Sequence, residues 1–197
     1  MPKIIDYEKR KEEISRKALS VFVEKGYYNT SLADISERCG IGRTTLYRYF
    51  KNKDEIFQFT IASINKIIKA DLQSVLEDEN ISFIEKIKVL IEKLFKEYKN
   101  SGMLTALIDY RLVARREKNN YILKKIQESM QGINNALKQL LSEGIRSKEI
   151  KPVDKEKMTI TLYALLESLV LNIPIDKVGS IDEHLKAVNI LIDGLKL

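Results

Sequence analysis

The sequence predicts an all-α protein of about nine helices, a small three-helix head on a larger helical body. Apolar residues recur at helical spacing in nearly every segment, and no segment carries a persuasive two-residue alternation. Capping side chains stand three residues before a Glu in Asn52–Glu55, Ser82–Glu85 and Ser180–Glu183, the pattern of a helix start. Gly26, Gly40, Ser101-Gly102, Pro152 and Pro174 supply the stops between them.

Taken in order, the first helix spans residues 7–25, with Ile14, Ala18, Val21 and Phe22 on one face and Gly26 behind it. Thr30 or Ser31 caps a helix over 31–39 that buries Leu32, Ile35 and Cys39 and ends at Gly40. After Gly40-Ile41-Gly42, a helix over 43–50 sets Leu46 and Phe50 four residues apart. Asn52 opens 53–77 and Ser82 opens 82–99, where Ile84, Ile87, Ile91, Leu94, Phe95 and Tyr98 form a stripe. Helices over 103–116 and 118–146 follow, then 154–172 after Pro152 and 181–196 after Ser180. The first three are short and closely joined, which places a domain boundary between residues 1–52 and 53–197.

Composition sets limits on function. Cys39 is the only cysteine, so neither an intrachain disulfide nor a cysteine-based zinc cluster can form, and a reducing, cytoplasmic location is expected. The first residues lack the apolar stretch of a signal peptide, and the most apolar segment, 160–173, is too short to span a bilayer and contains Glu167. The net charge of +6 suits a nucleic-acid or anionic partner without selecting one.

Local charge is more informative. Two short helices joined by a glycine-containing turn make a helix-turn-helix pattern, here over Thr30–Lys53. With Leu46 and Phe50 facing inward, Arg43, Thr44, Tyr47, Arg48 and Lys51 lie off the core face. Residues 38–53 hold five basic residues, Arg38, Arg43, Arg48, Lys51 and Lys53, and no acidic one. Arginine can bond guanine bidentately, threonine suits base edges, tyrosine hydroxyls reach phosphates and lysine releases counterions. The alternative is a small helical corner with a solvated basic face. The basic residues Lys9, Arg10, Lys11, Arg16 and Lys17 read first as solvated helix surface.

The run Thr30-Ser31-Leu32-Ala33-Asp34-Ile35, then Gly40-Ile41-Gly42, then Leu46-Tyr47-Arg48-Tyr49-Phe50-Lys51-Asn52-Lys53 resembles the TetR (tetracycline repressor) family over residues 8–57. The resemblance implies an all-helical homodimer that binds palindromic operator DNA and is released by a small-molecule effector. By position it implies that Arg43, Thr44 and Thr45 face bases and that Tyr47, Tyr49 and Lys53 hold phosphates, with Thr30 or Ser31 bonding a further phosphate. Gly42 stands where the family often has a Ser or Thr cap, and Tyr49 where it often has His.

The last two helices carry apolar stripes that serve either as core or as a dimer seam. The resemblance implies the seam, formed by helix pairs from two copies around Leu165, Ser168, Leu169, Leu185, Val188 and Ile192. For an effector, the resemblance points to Phe57, Phe59, Phe95, Tyr98, Met103, Tyr110, Met130 and Tyr163, all of which could equally be plain core. Asp109, Arg111 and Glu167 interrupt apolar helices and could orient a polar group, or could simply be exposed.

Against an enzyme, His184 is the only histidine, and neither paired carboxylates, metal-ligand spacing nor a glycine-rich phosphate loop stands out; no cofactor and no metal are expected. A helical ligand- or lipid-binding protein without a DNA function remains as an alternative, opposed by the acid-free segment 38–53. An activator of the same fold is another, because operator position decides the sign of regulation.

Overall fold

The computed structural model describes residues 6–172 and 181–197, without the side-chain surroundings of 122, 125, 129, 170, 172 and 181. Within them run α1 (Tyr7–Asn29), α2 (Leu32–Cys39), α3 (Arg43–Tyr47), α4 (Lys53–Glu77), α5 (Phe83–Ser101), α6 (Met103–Arg116), α7 (Asn120–Arg146), α8 (Lys155–Asn172) and α9 (Ile181–Asp193). The all-α expectation holds among the described residues, where the only strand-like pairing is an isolated bridge between Ile150 and Lys196. Pro174 and the Ser180 cap lie outside the described residues.

The sequence signals act locally as their chemistry requires. Asp6 accepts the Lys9 N–H at the start of α1, and Ile14, Ala18, Val21 and Phe22 are buried along it. At Gly26 the backbone takes φ 76°, ψ 157°, a region open to glycine, and one further turn carries the chain to Asn29. The Thr30 hydroxyl donates to the Gly26 carbonyl at 2.7 Å and closes that turn. Ser31 and Asp34 form a complete capping box on α2, and Gly40 ends it in the left-handed region at φ 66°.

Two other boxes form only in part. Asn52 accepts the Glu55 N–H, but the Glu55 carboxylate bonds the Lys51 N–H instead of that of Asn52. Ser82 accepts the Glu85 N–H while Glu85 turns to Lys88. The free amides at the start of α5 are met from a distance: Glu149 accepts Phe83 N–H at 2.9 Å and Ile84 N–H at 2.8 Å. At the other end of α4, the buried Lys86 ammonium donates to the Leu76 carbonyl at 2.9 Å.

The chain divides into two compact units, residues 1–66 with 101–129 and residues 67–100 with 130–197. The first holds the three-helix head together with the beginning of α4, α6 and the start of α7. Its interior is aromatic: Tyr27 packs on Phe22, Phe57 and Tyr110, with ring centroids at 5.6, 5.1 and 4.2 Å. The second unit buries the expected α5 stripe, Ile84, Ile87, Ile91, Leu94, Phe95 and Tyr98. Its C-terminal residues pair with the turn after α7 through Leu197 N–H to Glu149 O and Lys151 N–H to Leu195 O.

Candidate nucleic-acid interface

The candidate recognition element is α3, five residues that begin at Gly42 without a side-chain cap. The chain leaves α3 through tighter turns, with Arg48 N–H on Thr45 O and Tyr49 N–H on Leu46 O, so the regular helix ends before the expected residue 50. Leu46 and Phe50 are 1% exposed and anchor the element. Arg43, Thr44, Tyr47, Arg48 and Lys51 are exposed and Thr45 is half-buried. Arg43, Arg48 and Lys51 have no ion-pair partner among the described residues, so their charges face solvent uncompensated.

Other basic residues of the segment are already engaged. Arg38 forms a two-pronged contact with Glu24 at 2.8 and 2.5 Å and also bonds Ser20. Lys53 donates to the carbonyls of Tyr27 and Tyr28 at 2.9 and 3.1 Å and lies over the Tyr27 ring; burial pulls its pKa below the ordinary lysine value. Its ammonium ties the end of α1 to the start of α4 and keeps one donor for another partner. Within residues 38–53, positive charge available to a ligand is therefore concentrated on Arg43, Arg48 and Lys51.

Two expected phosphate contacts take different places. Thr30 is corrected: at 2% exposure its hydroxyl faces Gly26 inside the head, because the turn there needs an acceptor-to-donor closure. Ser31 is exposed and caps α2. The Tyr49 ring is buried and stacks on Tyr7 at 4.9 Å, while the Tyr7 hydroxyl donates to Arg48 O at 3.0 Å. Tyr7 thus braces the end of the recognition element, a role that sequence reasoning missed; the only signal was an aromatic residue opening the first helix. Tyr28, whose carbonyl takes the Lys53 ammonium, is 67% exposed.

The expected effector residues separate between the units. Phe57, Met103, Asp109 and Tyr110 lie in the first. There Phe57 and Tyr110 complete the aromatic cluster and Asp109 accepts the Tyr27 N–H. Phe95, Tyr98, Met130, Tyr163 and Glu167 lie in the second. Tyr163 and Glu167 both bear electrostatically on Tyr98, whose pKa burial pushes up to about 12. Of the expected seam, Leu169, Val188 and Ile192 are buried within this chain, Leu165 and Leu185 are half-buried and Ser168 is exposed. Cys39 is core, its thiol pKa raised by burial.

A short solvent-facing helix, held by a glycine turn on a three-helix head and carrying unpaired arginines, defines a helix-turn-helix DNA-binding regulator. Residues 14–58 match the model of the bacterial regulatory proteins of the tetR family. The chain is 31% identical over 136 residues to the fatty acid metabolism regulator protein of Bacillus subtilis, covering 68% of this chain and 67% of that one. It is similar to the putative fatty acid metabolism regulator of Clostridium perfringens with a TM-score of 0.75 at 26% identity, over 94% of this chain and 98% of that one. It shares its fold with the Bacillus subtilis regulator FadR in complex with stearoyl-CoA, with a TM-score of 0.74 at 24% identity, over 91% and 96% of the two chains. The chain belongs to the TetR family of transcriptional regulators.

Proposed function

We propose that this regulator is a cytoplasmic homodimeric repressor that holds a palindromic operator through residues 1–52 and releases it when a long-chain acyl-CoA binds within residues 53–197. The observation that carries the effector class is the identity of 31% with a fatty acid metabolism regulator across two thirds of both chains. The stearoyl-CoA bound to the Bacillus subtilis protein of like fold supports the same class. Phe95, Tyr98, Met130, Tyr163 and Glu167 are the candidates to line the site, the two tyrosine hydroxyls being the groups able to orient a thioester or its adjoining polar atoms. Phe57, Asp109 and Tyr110 serve the packing of α1 against α6 and fit signal transfer better than ligand contact.

In this reading Arg43, Thr44 and Thr45 meet bases, Tyr47, Arg48, Lys51 and Ser31 meet the backbone, and Lys53 offers its remaining donor to a phosphate. Dimerisation is supported by exposed apolar rows, Ile160, Ala164 and Leu171 on α8 with Ser168 between them, and Ala187, Ile190 and Leu191 on α9. Because α4 runs unbroken from Lys53 to Glu77, a shift imposed on its second half reaches the head directly. No helix among the described residues is long and apolar enough to cross a membrane.

The test selects operator DNA from a random pool with the full chain and titrates stearoyl-CoA against the complex. Stearoyl-CoA should release the DNA while CoA alone and stearate alone should not. DNA affinity that stays constant at saturating stearoyl-CoA refutes the effector assignment while leaving DNA binding intact.

A further inference from the structure

The turn between α6 and α7 carries a second concentration of positive charge in the same compact unit as the helix-turn-helix. Residues 111–125 contain six basic residues, Arg111, Arg115, Arg116, Lys118, Lys124 and Lys125, against the single acidic Glu117. This segment and residues 38–53 each contribute a net +5, so together they exceed the +6 of the whole chain and the rest of the molecule is net acidic. Arg115, Arg116, Lys118 and Lys124 are exposed and have no ion-pair partner among the described residues. Other surface cations are mixed: Arg10, Lys17, Lys25, Arg38 and Lys96 are each matched by a carboxylate, whereas Lys9, Arg16, Lys66 and Lys69 are exposed without an ion-pair partner among the described residues and lie outside so dense a cluster.

The fold sets the end of α6 near Lys53, the last basic residue of the helix-turn-helix segment. Val23 abuts Gly102 and Tyr27 abuts Tyr110, so α1 and α6 advance in the same sense. From Tyr110, which is level with Tyr27, α6 rises roughly 9 Å further to its end at Arg116. Its last residues thereby come toward Lys53, which bonds the Tyr27 and Tyr28 carbonyls. Glu117 at the end of α6 is near enough to act on the Lys53 ammonium.

The end of α6 also has a defined geometry. Lys118 N–H bonds Arg115 O and Asn119 N–H bonds Ala114 O, the paired bonds of a Schellman stop, with Lys118 in the left-handed position at φ 54°. That position favours glycine. Lys148 holds the same place at the end of α7, at φ 63°, in the second unit. The arginines of the last turn suit the helix dipole, which accounts for cations there but not for a lysine at the strained position.

We propose that Arg115, Arg116 and Lys118 form a second phosphate-binding surface that grips the duplex backbone beside the helix-turn-helix and widens the footprint of each head. The inference rests on DNA binding by the head and adds interactions that carry no base information.

The experiment measures fluorescence anisotropy of the full chain on a mixed-sequence duplex of about 40 bp, from about 50 to about 200 mM salt, with thermal unfolding of every variant. R115A/R116A/K118A should keep its melting temperature, bind about ten-fold or more weakly and lower the salt slope by about 0.9 for each phosphate that is no longer neutralised. R115K/R116K/K118R should restore the slope. K118G should melt no lower than the parent yet bind DNA more weakly, whereas K148G should share its thermal behaviour and leave DNA binding unchanged. An unchanged slope in the triple variant, while R48A/K51A lowers it, overturns the proposal. So does a triple variant with intact slope but no response to stearoyl-CoA, which assigns the patch to effector phosphates. A parent chain without salt-dependent binding removes the DNA-binding assignment itself, a result distinct from both.

Discussion

The carboxylate of Asp109 on α6 accepts the backbone N–H of Tyr27 at 2.7 Å. Gly26 makes this possible, because its positive φ interrupts the ladder of α1 just before that N–H and leaves no Cβ in the way. A Cβ placed on Gly26 would stand 3.1 Å from the Asp109 oxygen. Around the same point the Tyr27 hydroxyl donates to Asp54, and Lys53 takes the Tyr27 and Tyr28 carbonyls. One kinked residue thus joins α1, α4 and α6.

Removing the Asp109 acceptor leaves a partly buried N–H without its charged partner, so Asp109→Ala should cost about 1–3 kcal/mol of stability. Asp109→Asn keeps a carbonyl acceptor and should cost less. Gly26→Ala adds backbone strain and crowds the carboxylate, so its cost should be smaller when combined with Asp109→Ala than alone, because the crowding is then relieved. Urea denaturation of the parent, the two single alanine variants, their combination and Asp109→Asn checks this; a change under about 0.5 kcal/mol for Asp109→Ala would show that the hydrogen bond is energetically idle.

Helix positions were legible from the sequence because they follow from periodicity and local caps. The extents of α2, α4 and α6 differ from expectation by a residue or less, and the Ser31–Asp34 box closes within four residues. What local pattern could not supply was the destination of charged groups. Arg38, Lys53, Arg43 and Arg48 look alike in a charge count, yet Glu24 claims the first and two carbonyls from α1 claim the second. Likewise the cap on α5 comes from Glu149, more than sixty residues away, which no window around Ser82 contains. Thr30 failed for a related reason: its neighbours in sequence suggest a cap, but the Gly26 turn draws its hydroxyl inward.

Alkaline titration reports the packing of both units. Burial raises the pKa of Tyr98 and of Tyr110 to about 12, and raises that of Tyr27 further, with Asp54 adding to the effect. A phenol whose folded pKa lies above its unfolded value near 10 contributes stability that is complete below about pH 10 and is lost as pH rises through the folded value. Stability should therefore decline between about pH 10 and about pH 12. Of the nine tyrosines, Tyr27, Tyr98 and Tyr110 should ionise together with unfolding, visible as a late, cooperative rise in tyrosinate absorbance. Tyr98→Phe should flatten the decline; if all tyrosines titrate near pH 10 in the folded protein, the burial argument is wrong.

The exposed rows on α8 and α9 bear on how the head is used. Ile160, Ile190 and Leu191 are 68%, 70% and 60% exposed, while Leu166 and Ile192 on the same helices are 0% and 1% exposed. Each helix therefore presents one apolar face inward and another outward, more than a solvated surface helix requires. Large aliphatic side chains covered by a second copy would each contribute roughly 1.5–3 kcal/mol, so a carboxylate there opposes association both by losing that burial and by requiring desolvation of a charge. Ile190→Asp with Leu191→Asp should shift sedimentation from dimer to monomer at about micromolar concentration without loss of helicity. Affinity for a palindrome should then fall to that of a single half-site, because the two recognition helices are no longer held together. A double variant that still sediments as the parent does would place the seam elsewhere.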